Sequence, residues 1–128
     1  MTNIFLVMGG GAIGAALRYQ LGRFAGQLTP GATWPWGTFA ANLLGGFAMG
    51  LLAGWLARGS AVAGEPIRLL LGVGLLGGFT TFSAFSLDAV LMAERGGWIA
   101  ALPYILASVI GSIVALVAGL QLVRAVTA

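Results

Sequence analysis

A chain of 128 residues with 59% hydrophobic and 7% charged side chains cannot cover a water-facing surface, because a soluble domain carries roughly 25% charged residues. Mean hydropathy of +1.02 makes the lipid bilayer the expected surroundings, and the length allows a single domain over residues 1–128. The absence of Cys and His excludes a disulfide framework, thiol chemistry, most metal sites and the commonest general base. Without Lys as well, no nucleophile–base pair can be assembled, so an enzyme is not expected. The six basic residues are all arginine and stand singly, which does not make a nucleic-acid surface; no nucleic-acid partner is expected.

A bilayer core needs about 20 apolar residues as helix, and the uncharged runs predict four spans, at about 3–25, 37–57, 67–93 and 98–124. The first lacks the charged flank and cleavage site of a signal peptide and reads as a retained span. Within it, Gly9 to Gly14 matches G-x-G-x-x-G, but no acidic residue occurs before Glu65 and no strand precedes the glycines, so a dinucleotide site is not expected. The first connector, Gln27 to Trp36, carries Pro30, Gly31 and Pro35, with Trp34 and Trp36 placed as interface anchors. A second connector runs from Arg58 to Pro66. The third, Glu94-Arg95-Gly96-Gly97, is a tight turn. Four spans put Arg58, Arg68 and Arg124 on one side, and Arg23, Arg95 and the deeper Arg18 on the other. This near balance gives the positive-inside rule little to act on and leaves insertion in both orientations open.

Small residues recur every fourth position: Gly10, Gly14, Gly22 and Gly26; Gly46, Gly50 and Gly54; Ala107, Gly111, Ala115 and Gly119. Such rows share a helix face and let backbones approach in lipid. Four short spans leave little room for an interior cavity, which favours a path built between two copies.

The third span is the irregular one, reading Gly77-Gly78-Phe79-Thr80-Thr81-Phe82-Ser83-Ala84-Phe85-Ser86. Two glycines cost about 1 kcal/mol each relative to Ala in a helix, and Thr and Ser compete for backbone hydrogen bonds. A break at mid-membrane is expected, which survives only where protein or a cavity surrounds it. It would expose carbonyls suited to a cation and N–H groups suited to an anion. Asn42 offers amide donors in an otherwise apolar span. Tyr104, Ser108 and Ser112 line up hydroxyls at four-residue spacing. Phe79, Phe82 and Phe85 repeat every third residue, and their electropositive ring edges suit a small anion, although lipid-facing or packing rings are the more common reason for such a row. Arg18 lies near the end of its span, where it can snorkel. Asp88 is either its neutralising partner or part of a path.

These segments resemble the Fluc/CrcB fluoride channel family: Gly10 to Tyr19, Gly37 to Gly45 and Gly77 to Ser86, in order and spacing over essentially the whole chain. The resemblance implies an all-α membrane protein of four transmembrane helices, the third broken at mid-membrane, forming an antiparallel dual-topology homodimer in the bacterial cytoplasmic (inner) membrane. It implies two pores carrying fluoride passively out of the cell. Asn42, Phe82 and Phe85 would line each pore, Tyr104, Ser108 and Ser112 would form a polar track, and Arg18 would stand at a vestibule. Ser83 and Asp88 complete the expected pathway. Backbone carbonyls of Gly77 and Thr80 from both copies would hold one structural Na⁺. Ala84 stands where the family usually has Thr, and Asp88 where it usually has Glu. A small multidrug exporter, the competing transporter class, needs a membrane carboxylate, and only Asp88 near a span end is on offer. A purely structural subunit would not need the polar track.

Overall fold

The computed structural model describes residues 2–59 and 61–127. All regular structure among them is helical. Helix α1 is Thr2–Leu28, α2 is Trp36–Leu56 and α3 is the short Ala61–Ile67. A nine-residue π-helical stretch, Arg68–Leu76, follows directly. Then come α4 (Gly77–Phe79) and the long α5 (Phe82–Thr127). Three stretches are long and apolar enough to cross a membrane: Thr2–Leu28, Trp36–Leu56 and Gly64–Val126. The protein is thus an all-helical, multi-pass membrane protein.

The third stretch is interrupted twice. At Thr80 the backbone is extended, with φ −85° and ψ 160°. At Gly97 it takes φ 81° and ψ 167°, in the left-handed half of the map that glycine enters without a Cβ penalty. The Phe85 and Tyr104 rings, one on each side of Gly97, have centroids 5.4 Å apart. An unbroken helix would hold these residues about 28 Å apart, so the chain folds back at Gly97, at the end of the expected Glu94–Gly97 turn.

Two backbone-to-backbone seams hold the bundle together. Gly10 and Gly14 of α1 lie directly against the π-helical stretch and the start of α4. A Cβ at Gly10 would collide with the Leu70 carbonyl and lie 2.8 Å from the Leu75 nitrogen; one at Gly14 would collide with the Leu75 carbonyl. In the second seam, Gly46 and Gly50 of α2 face Ser112 and Leu116 of α5, while Gly119 faces Phe47. Each seam uses a small-residue row read from the sequence. Lipid gives helices no hydrophobic reason to associate, so close van der Waals contact supplies the attraction. Most large apolar side chains point outward, among them Ile4, Phe5, Ile13, Ile110, Ile113 and Val114, as a lipid-facing surface requires.

Candidate functional site

The site forms where the third stretch breaks. Gly77 and Gly78 remain helical; the extended residue is Thr80, two residues beyond the glycine pair. The Thr80 N–H and hydroxyl both donate to the Leu76 carbonyl, at 3.0 and 2.9 Å. Thr81 then starts α5: its hydroxyl oxygen accepts the Ala84 N–H at 3.1 Å, the bond of an N-cap. Asn42, from the middle of α2, closes the gap. Its Oδ1 accepts the Thr81 N–H at 2.8 Å and its Nδ2 donates to the Thr81 carbonyl at 3.1 Å. One side-chain amide thereby gives the Thr81 N–H the partner that the interruption takes away, worth about 1–3 kcal/mol if buried and unmade, and adds a donor to the Thr81 carbonyl, which as the N-cap carbonyl also starts the α5 ladder.

The bonds at the break also bear on the expected cation. In an unbroken helix the Thr81 N–H would serve the Gly77 carbonyl, and the Ala84 N–H the Thr80 carbonyl. Both donors are taken, by Asn42 and by the Thr81 hydroxyl. The two carbonyls expected to coordinate Na⁺ have therefore lost their usual partners, and neutral oxygen dipoles of this kind fit a monovalent cation.

An open groove of about 400 Å³ runs beside the break. Asn42, Thr80, Phe82, Phe85, Ser108 and Ser112 are among its lining residues. Six expectations thus meet in one place, five pathway residues and Thr80. The two phenylalanines differ: Phe82 is 78% exposed and Phe85 8%, with ring centroids 5.6 Å apart. Tyr104 is completely buried and Ser108 nearly so. Tyr104 packs on the inner side of Phe85, and its hydroxyl lies beside Ser108 and Asp88. None of the Tyr104 hydroxyl, the Ser108 hydroxyl and Asp88 Oδ2 has a hydrogen-bond partner outside this cluster. The serine is therefore not bonded back to its own helix, and the three oxygens form a buried polar spot with unused capacity.

Besides Tyr104, three expected pathway residues lie apart from the groove lining. Arg18 reaches the break from α1: its Nε donates to the Gly78 carbonyl at 3.2 Å. It is not paired with Asp88; the one ion pair among the described residues is Glu65–Arg68, at 2.8 Å on the surface. Ser83 is exposed, its hydroxyl 3.3 Å from that of Thr81. Asp88 stands with Tyr104. Sequence reasoning missed Trp34 and Thr81. Trp34 turns inward, with its ring 5.4 Å from Tyr104 and 4.8 Å from Phe39. Thr81 was visible only as part of a motif; its side chain starts a helix and its backbone receives Asn42.

Residues 5–120 match the family described as CrcB-like protein, Camphor Resistance (CrcB). The chain belongs to the CrcB-like family. Similar relatives named "Fluoride-specific ion channel FluC" include one from Phenylobacterium zucineum, 57% identical with all of both chains covered. Another, from Chelativorans sp., is 56% identical over 98% of this chain and 99% of its own. A third, from Novosphingobium aromaticivorans, is 50% identical over the same shares. These CrcB-like relatives carry the name of ion channels and not of enzymes, in agreement with the lack of a nucleophile–base pair here.

Proposed function

We propose that this chain is a fluoride-selective channel that lets fluoride leave the cytoplasm passively, lowering its concentration there. The observation that carries the proposal is the groove, where amide, hydroxyls and phenyl edges meet in an otherwise apolar chain whose full-length relatives bear the fluoride-channel name. A desolvated fluoride needs donors on all sides. Asn42 keeps one Nδ2 hydrogen beyond the bond to Thr81, Ser108 and Ser112 offer hydroxyls, and ring edges of Phe82 and Phe85 carry partial positive charge. Larger anions are excluded where the rings close the path.

The functional unit of this reading is an antiparallel, dual-topology homodimer of four-span chains with two pores. The fold-back at Gly97 supports the fourth span, since it divides the long third stretch in two. The open groove and the exposed Phe82 support a second copy, which would supply the missing wall. The near-even arginine distribution suits both orientations. The Gly77 and Thr80 carbonyls of two facing copies would hold one central Na⁺, which supplies fixed positive potential between two anion paths when bound. Fluoride efflux from liposomes containing only the purified protein tests the channel: efflux that keeps pace with a potassium ionophore is expected, and none would refute it. Replacing Na⁺ by a bulky organic cation during long dialysis is expected to slow efflux or loosen the dimer; both unchanged would remove the cation from the proposal.

A further inference from the structure

We propose that Trp34 controls access to the buried Tyr104 end of the polar track, opening and closing it as its ring moves off and onto Tyr104. This rests on the channel reading above and adds a residue that the pore lining does not include. Tyr104, Ser108 and Asp88 place three polar oxygens side by side with no partner outside their own cluster, yet Tyr104 has no exposed surface at all. An ion or water reaches that spot only if something covering it moves. The candidates are the rings packed on Tyr104. Phe85 belongs to a long helix and sits in the core. Trp34 belongs to the connector between α1 and α2, outside any helix, and is only half-buried. It meets the Tyr104 ring edge-on, at 5.4 Å and 80°. Its other neighbours are Trp36, at 4.6 Å, and Phe39, at 4.8 Å.

The local backbone gives Trp34 a place to pivot. Gly31 stands at φ 77°, the Trp36 N–H closes on the Trp34 carbonyl at 2.9 Å, and Pro35 lies between at φ −82° and ψ 74°. The segment is thus anchored at Trp36 and turns at Gly31, with Trp34 between the two points. Rotation of this one ring uncovers Tyr104 without disturbing either glycine seam.

The chain has no cysteine, so Asp88→Cys introduces a single thiol beside the Tyr104 hydroxyl. Its rate of modification by a small, membrane-impermeant methanethiosulfonate is measured in the dimeric protein in liposomes, with Trp34 intact, as Trp34→Ala and as Trp34→Phe. Removing the ring is expected to speed labelling by about tenfold, the scale of losing several aromatic contacts. Trp34→Phe, which keeps a ring on Tyr104, is expected to stay near the original rate. Should Trp34→Ala fail to assemble, Trp34→Leu removes the ring while keeping apolar volume and is read the same way. Equal labelling rates with and without the ring would overturn the proposal. Labelling requires no fluoride flow, so a failed efflux assay and a failed Trp34 test remain separate results.

Discussion

At the scale of single residues, Asn42 does more than the sequence suggested. An amide in an apolar span read as a donor for an anion, but its pairing with Thr81 depends on how α2 sits against the break, which spacing along one helix does not encode. Asn42→Ala should leave the Thr81 N–H without a partner and take one donor from the Thr81 carbonyl. The expected result is loss of most fluoride efflux together with a less stable fold, by roughly 1–3 kcal/mol per unmade bond, read as a lower detergent melting temperature. Intact stability with lost efflux would instead confine Asn42 to ion contact. The two phenylalanines should separate by the same pair of measurements. Phe82→Ile is expected to slow efflux with little change in monomer stability, because its ring is 78% exposed in the single chain. Phe85→Ile should lower both, because Phe85 packs on Tyr104 in the core. The hydroxyl row of Tyr104, Ser108 and Ser112 was legible because its four-residue spacing has no packing explanation; the inward turn of Trp34 was not, since a tryptophan in a connector reads equally well as a membrane-interface anchor.

At the scale of elements, the helix break was legible within the Gly77–Ser86 motif, and the extended residue, Thr80, falls inside it. Gly77 and Gly78, at the head of that motif, stay helical, and Gly78 lies against α1, where a Cβ would stand 2.6 Å from the Gly11 carbonyl. Gly78 serves the seam, and the extended conformation falls on Thr80. The π-helical stretch Arg68–Leu76 had no signature in residue pattern, since its apolar run is equally compatible with an ordinary helix. The small-residue rows, by contrast, predicted both seams. Gly14→Ala should therefore push α1 away from Leu75 and Phe79, a backbone clash that no rotamer relieves. Overpacking of this kind typically costs about 1–3 kcal/mol, and the variant is expected to express poorly and to elute as aggregate. Gly26→Ala on the same row meets nothing within 4 Å and should behave as the unmodified protein on the same column.

At the scale of the whole molecule, composition alone dictated a membrane protein, and the arginine balance left its orientation open. Single cysteines placed near either terminus should react with impermeant reagent from both faces of intact membranes if the chain inserts both ways. Reaction from one face only would exclude the antiparallel dimer while leaving fluoride conduction standing. The groove is open on one side, and the proposed second copy would close it; pattern reading locates polar residues on helix faces, and a wall of that kind would leave no trace in the pattern beyond an exposed ring such as Phe82.

The fold-back at Gly97 bears on how the protein is made. The two helical parts it joins would enter the bilayer together as a hairpin, and its tip is all that must be carried across in one of the two orientations. That tip holds Glu94 and Arg95, one charge of each sign, followed by two glycines. A cargo without net charge gives the membrane potential no purchase in either direction. Under the antiparallel reading proposed above, such a tip would favour neither orientation of the hairpin, and a single gene would suffice for both halves of the pair.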